Sequence, residues 1–317
     1  MQDYKPSWPI GTRLVLATVV IAVLISAIGV YIVRKRRSSP PSFENATVAK
    51  LTTSGNVVAA ALSADAQVFA YVTTEAARQT VFLKPVATSD KSVELLGPIE
   101  ATYHGLTFSP DASFIYFVRS TSGGSASIYR QPQRGGQPVE LFRDVNSAVC
   151  LSPDGQLLAY LRDDAEQQET ALIIGRADGT GERKLAVLKG LISGSPSWSP
   201  DGKLIATSAV HDDTSQNVVV VSAVDSSLRS LGNTRFRHVG GVAWLADGKS
   251  LLVTAKDLES STSQVWQLTY PGGESRRITN DTNEYQQISL SKDSRQLLAL
   301  QTGRSNQIGD VVLIKAK

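Results

Sequence analysis

One pattern centred on aspartate recurs six times along this chain, and it constrains the fold more than any other feature. It reads LSADAQVFAYV from Leu62, FSPDASFIYFV from Phe108, LSPDGQLLAYL from Leu151, WSPDGKLIATS from Trp198, WLADGKSLLVT from Trp244 and LSKDSRQLLAL from Leu290. The aspartates are Asp65, Asp111, Asp154, Asp201, Asp247 and Asp293, spaced 46, 43, 47, 46 and 46 residues apart. Self-similarity at a fixed period of this size marks an array of supersecondary units that bury their apolar faces on one another.

Each unit has the same internal order. An apolar residue leads into Ser-Pro-Asp-Gly or a variant, which is turn chemistry. Proline presets φ, aspartate bonds the backbone two residues on, and glycine accepts φ > 0. The six aspartates are therefore assigned as structural turn residues. An apolar run such as LIATSA follows and reads as a buried strand. After a polar loop comes a third strand (TVFLKPV, ALIIGRA, NVVVVSA), then a second turn and a short fourth strand (VELL, VELF, RRIT). Four strands per unit of about 45 residues is the signature of a β-propeller blade. The last unit stops after its third strand, at Lys317, while a spare segment, Val48 to Thr52, precedes the first. The spare segment is expected to pair beside the final strand and close the ring, removing open sheet edges. The expected fold is all-β, a six-bladed propeller over residues 47–317.

Residues 14–33 form a run of twenty with no charge. As a helix it spans about 30 Å, the thickness of a hydrocarbon core. The expected organisation is a short N-terminal segment (1–13), a single transmembrane helix (14–33), a basic and proline-rich linker (34–46) and the propeller. The formal charge of +3 is misleading for the large domain. Lys5, Arg13, Arg34, Lys35, Arg36 and Arg37 face one acid, Asp3, before residue 38, which leaves 26 basic against 28 acidic residues beyond. A nucleic-acid binder needs a basic footprint, so no nucleic-acid partner is expected. The single cysteine, Cys150, excludes an internal disulfide.

The Ser-Pro-Asp-Gly turns with their apolar strands, clearest at Phe108–Asp111, Leu151–Gly155 and Trp198–Gly202, resemble the repeat of TolB-type propellers. Similar propellers form the C-terminal regions of bacterial membrane-spanning Ser/Thr kinases and winged-helix regulators. The order of apolar helix, basic cluster, proline linker and propeller is similar to the back half of those proteins. The resemblance implies a membrane-anchored interaction or sensing module in the bacterial inner membrane, with the propeller in the periplasm. The basic cluster at 34–37, taken alone, favours the cytoplasm.

No catalytic motif is present. There is no Gly-x-Ser-x-Gly string and no kinase signature. The three histidines lack metal-ligand spacing, so neither a metal nor a cofactor is expected, and the chain is expected not to be an enzyme. Alternative readings are a hydrolase or lyase with its site at the channel mouth, or the sensor part of a transmembrane kinase or regulator. Loops on rigid scaffolds carry function more often than strands do. The loops crossing from one blade to the next hold Tyr103, His104, Arg235, Arg237, His238, Glu284 and Tyr285, a mixture suited to recognising a protein or peptide partner. The hairpin loops hold the acids Asp163, Asp164, Glu166, Asp212, Asp213, Asp257 and Glu259, expected to keep exposed tips soluble. Phe108, Trp198 and Trp244 are expected to pack in the core between blades.

Overall fold

The computed structural model describes residues 42–44, 46–87, 91–192, 194–303 and 307–317. The predicted segments 1–13 and 14–33, and the linker up to Pro41, lie outside the described residues. Among the described residues, no helix is long and apolar enough to cross a membrane. Those residues form an all-β propeller.

Four sheets have four strands each, and in all of them every strand pairs antiparallel with the one before it. The second repeat supplies Ala101–Phe108, Phe114–Thr121, Ser127–Pro132 and Val139–Phe142. The third supplies Cys150–Leu151, Leu157–Asp164, Glu169–Arg176 and Arg183–Lys189. The fourth supplies Ser197–Trp198, Leu204–Asp212, Ser215–Ser222 and Leu228–Ser230. The fifth supplies His238–Trp244, Ser250–Lys256, Gln264–Thr269 and Ser275–Arg277.

The remaining sheet has eight strands and joins the two ends of the repeat array. Val57–Leu62, Val68–Glu75, Arg78–Pro85 and Val93–Ile99 come from the first repeat. Glu284–Leu290, Gln296–Thr302 and Gly309–Lys315 come from the sixth. A single bridge, Val57 to Gly309, links the two sets. The spare front strand, Thr47–Lys50, lies antiparallel along the last one, with Val48 opposite Ile314 and Lys50 opposite Val312. Asp310 fastens this closure. Its Oδ1 accepts from Thr52 Oγ1 and Gly55 N, both at 3.0 Å, and Oδ2 lies 3.7 Å from Lys50 Nζ.

The core is divided into six apolar clusters, and each pools side chains from two successive repeats. One of them packs Phe69 and Tyr71 of the first repeat against Leu298, Leu300 and Leu313 of the sixth. Each buried Leu, Val or Phe contributes about 1.5–3 kcal/mol, so the clusters bind neighbouring sheets face to face.

Polar side chains add stitches between repeats. Trp244 N donates to Ser197 Oγ at 3.3 Å and Leu62 N to Ser289 Oγ at 3.0 Å. At the equivalent position of the third repeat, the Cys150 sulfur accepts from Trp198 N. The crossings between repeats are pinned in a second layer: Gln79 Oε1 accepts from Tyr103 N, and Gln216 Oε1 from Val239 N, both at 2.8 Å.

Candidate functional site

The first strand of every repeat borders a central cavity of about 460 Å³. Just before each Ser-Pro-Asp-Gly turn stands a large apolar residue, and these six form a ring in its wall: Leu62, Phe108, Leu151, Trp198, Trp244 and Leu290. Two residues further on, Ala64, Pro110, Pro153, Pro200, Ala246 and Lys292 form the rim. The ring residues serve twice. Phe108, Trp198 and Trp244 belong to the inter-repeat clusters predicted for them and also present a surface to the cavity. Each first strand except Val57–Leu62 is the end strand of its run of sheet pairing. Several N–H groups on those strands are met by side chains, as Gly241 N by Thr254 Oγ1 at 2.8 Å.

The turn aspartates do not reach the cavity wall. In five repeats a serine hydroxyl donates to the aspartate Oδ1, at 2.5–2.7 Å, for Ser63–Asp65, Ser109–Asp111, Ser152–Asp154, Ser199–Asp201 and Ser291–Asp293. The same Oδ1 accepts a backbone N–H two residues on, as from Gln156 to Asp154 at 3.1 Å. These bonds hold the carboxyls of Asp65, Asp111, Asp154 and Asp201 below their ordinary range. Burial opposes the effect most at Asp293, whose pKa is still lowered by Ser291 and Arg295 N. The fifth repeat has Leu245 in place of the serine, and Asp247 keeps only the bond from Lys249 N, at 2.8 Å. Glycine occupies the left-handed position of three turns (Gly155, Gly202 and Gly248), whereas Ala66, Ala112 and Ser294 adopt the same conformation in the other three.

Among the lining residues only Cys150 and Lys292 carry an ionisable side chain. Burial pushes the Cys150 thiol up to about 12, so it stays protonated. Lys292 is exposed at the rim, and its backbone N donates to Ala64 O at 2.7 Å. The indole N–H groups of Trp198 and Trp244 are buried in the clusters between repeats, with no partner among the described residues. The described residues hold no cluster of three or more His, Cys, Asp or Glu that could take a metal ion. The arrangement offers mainly apolar contact with a few hydroxyl groups, which is chemistry for binding.

The family model described as the TolB beta propeller domain matches residues 148–315, just over half of the chain. The chain belongs to the TolB β-propeller domain family. Among solved structures, TolB from Acinetobacter baumannii is similar with a TM-score of 0.62 at 16% identity, over 80% of this chain and 65% of that one. This TolB-family chain thus spans less than two thirds of the length of that relative. A candidate TolB from Agrobacterium tumefaciens gives a TM-score of 0.59 at 14% identity, covering 82% and 91%. An oligogalacturonate lyase in complex with manganese gives 0.55 at 12%, covering 88% and 95%. At these identities the structural likeness shows the fold alone. No curated protein matches the chain.

In this TolB-type propeller none of the seven recognition residues chosen from the sequence lines the central cavity. Tyr103, His104, His238, Glu284 and Tyr285 lie on first strands, and Arg235 and Arg237 in the loop before one of them. Tyr103 and Tyr285 are buried. Tyr103 packs on Phe117 at 5.2 Å, and Tyr285 Oη donates to Asp281 Oδ2 at 2.8 Å and accepts from Gln301 Nε2 at 3.1 Å. Burial of both phenols raises their pKa. His104 lies on the surface, its Nε2 2.9 Å from Ser120 Oγ. Burial lowers the His238 pKa, as does Lys256, while Glu284 opposes them. Arg237 donates to Leu258 O at 2.5 Å. Arg235 pairs with Asp212 at 3.7 Å and borders an open dish with Trp266, Asp257, Glu259 and Arg277. Of the seven, His238 and Glu284 are brought into electrostatic contact across successive repeats.

The acidic hairpin residues largely cap their own turns. Asp212 Oδ1 accepts from Thr214 N and Oγ1, both at 2.9 Å. Asp257 Oδ1 accepts from Glu259 N at 2.9 Å and Ser260 N at 2.6 Å. The cavity is lined by the rim and ring positions flanking each turn, of which the sequence analysis singled out only Phe108, Trp198 and Trp244, as core. Their signal was present, because they occupy fixed offsets from the repeating aspartate.

Proposed function

We propose that this chain is a membrane-anchored six-bladed propeller, with the eight-stranded sheet counted as two blades, and that it serves as a protein-interaction or ligand-sensing module in the bacterial cell envelope. Residues 14–33 supply the anchor in the inner membrane, and the propeller faces the periplasm. A segment of a partner protein enters the central cavity from the face that carries the Ser-Pro-Asp-Gly turns.

The observation that carries this reading is the cavity itself. Six apolar residues converge on 460 Å³ of space, behind a rim with a single charge. A pocket of this size with apolar walls and a few polar groups is the usual form of a binding site. Its lining residues include no histidine, aspartate or glutamate, which favours recognition over acid–base catalysis.

Site-specific photo-crosslinking in cells tests the reading. A benzophenone amino acid at Ala64 or Ala246, on the rim, should give a discrete crosslinked partner, and the same group at His104 or Arg237 should not. Crosslinks from the crossing face alone would move the site there, and none from either face would refute an interaction module. A reporter enzyme active only outside the cytoplasm, fused after Lys317, tests the membrane side. Silence of that fusion at normal expression would overturn the periplasmic placement.

A further inference from the structure

We infer that the partner segment entering the cavity belongs to an integral membrane protein and flanks its membrane span. This rests on the anchor and on the cavity as binding site, both proposed above, and adds the class of partner that can reach it.

The carrying observation is where the chain joins the propeller. Ser42 and Phe43 precede the front strand, and both are fixed on the face that carries the Ser-Pro-Asp-Gly turns. Ser42 O accepts from Lys317 N at 3.1 Å. The neighbouring Ala316 N donates to Arg295 O at 2.8 Å, and Arg295 N to Asp293 Oδ1 at 3.0 Å, in the turn that presents Lys292 to the rim. Phe43 is 2% exposed and shares a cluster with Ile314 and with Leu245, the residue before Ala246 of the rim. The point of entry and the mouth of the cavity thus share one face, beside the turns of the fifth and sixth repeats.

Tether length turns this into a limit on partners. Residues 34–41 separate the apolar run from Ser42, and the stretch from Val33 to Ser42 reaches about 30 Å at full extension. Strands of eight residues, such as Phe114–Thr121 and Glu169–Arg176, set the two faces about 26 Å apart. A mouth on the far face would add that depth to the tether, and a mouth on the entry face adds none. The rim therefore stays within a short reach of the bilayer, where a membrane-bound segment is met at high effective concentration.

Charge favours the same arrangement. Asp163 and Asp164 end the strand Leu157–Asp164, and Asp212 ends Leu204–Asp212, so these acids stand on the face away from the turns. Anionic headgroups repel that face, whereas the single charge among the residues lining the cavity is the cation Lys292. The wall itself, apolar with a few hydroxyl groups, suits the amphipathic Tyr and Trp side chains that gather at the ends of membrane spans. A freely diffusing protein would find the same wall but gain nothing from the tether.

The test uses the full chain in cells, with the benzophenone amino acid at Ala246. Inserting Gly/Ser residues after Ser39 to make the linker fourfold longer leaves Ser42 and Phe43 in place. Effective concentration falls as the −3/2 power of tether length, so the rim crosslink should drop about eightfold at equal expression. In a second variant a protease site in the linker is cut after crosslinking. The freed propeller with its partner should stay in the membrane pellet through alkaline extraction, while uncrosslinked propeller is released. Release of the adduct, or a yield indifferent to linker length, would overturn the inference and leave the interaction reading standing. An adduct heavier than the propeller by one lipid would replace the protein segment with a lipid and also overturn it. Absence of any rim crosslink would bring down the interaction reading itself, and the inference with it.

Discussion

Asp310 is the residue on which closure of the propeller is most exposed to a single substitution. It sits on the last strand, but its partners, Lys50, Thr52 and Gly55, all belong to the segment entering the first repeat. Asp310→Ala removes two hydrogen bonds to a carboxylate whose side chain is 15% exposed. Bonds to charged groups contribute about 1.5–3 kcal/mol each. The Lys50 ammonium is more than half exposed, so its ion pair adds at most about 0.5 kcal/mol after screening. The loss also frees Thr52 Oγ1, which accepts from Val311 N at 2.9 Å, so the strand register loosens with it. A loss of about 3–5 kcal/mol follows, which corresponds to a fall in Tm of roughly 6–20 °C for a domain of this size.

Thermal unfolding followed by circular dichroism measures this. Asp310→Asn keeps an acceptor at the same place, so it should lose less than half as much. Lys50→Ala should be almost silent, within about 0.5 kcal/mol. That ordering separates hydrogen bonding from charge. If Asp310→Ala unfolds within 1–2 °C of the parent, a shift of roughly 0.5 kcal/mol, the latch contributes nothing and the account of ring closure is wrong.

Other consequences follow from the same bonds. Glu182→Ala strips the fully buried Tyr160 of its acceptor at 2.7 Å and Arg162 of a 2.5 Å partner, and should cost about 2–4 kcal/mol in urea unfolding. Ser152→Ala breaks the bond to Asp154 and the acceptor for Leu157 N, and should cost about 1–2 kcal/mol. The serine-backed aspartates have lowered pKa values in the folded state, so their stabilisation is complete above the unfolded value near 3.9 and is lost as pH falls below it. The Tm of Ser152→Ala should therefore depend less on pH between about 5 and 3 than that of the parent. Ala112→Gly relieves a left-handed alanine and should raise stability by about 0.5–1 kcal/mol. Cys150, with its thiol pushed up to about 12, should react slowly with a disulfide reagent at pH 8, and native labelling as fast as that of the unfolded chain would contradict its raised pKa.

The fold was legible because the repeat states it six times. One Ser-Pro-Asp-Gly string is a weak turn signal, but six at a nearly constant period fix the unit and the order of strands. The spare segment at the front could be placed because the last repeat lacked one strand, and Val48 does lie beside Ile314. Less legible were the long-range polar stitches. Gln79 and Gln216 read as ordinary strand residues, and only the packed sheets show them accepting from the next repeat. The Glu182, Tyr160 and Arg162 network was invisible for the same reason, since its members lie about twenty residues apart and meet across a hairpin.

The candidate site was sought among polar residues in the crossings, and the cavity lies instead behind the turns. Sequence composition favours loops that look chemically rich, such as Arg235 to His238. A propeller, however, places its first strands around the axis, so whatever stands at a fixed offset from the turn is brought to one place six times over. The turn aspartates hold their neighbours in register through local bonds, and this leaves the rim residue between serine and aspartate free to differ from repeat to repeat. Five of the six rim residues are alanine or proline, and the sixth is Lys292. Because the scaffold at that position is nearly symmetric, the departure from symmetry is where selectivity for a ligand can reside. A motif that is most regular where it builds the fold is thus most informative about function at the one position where it varies.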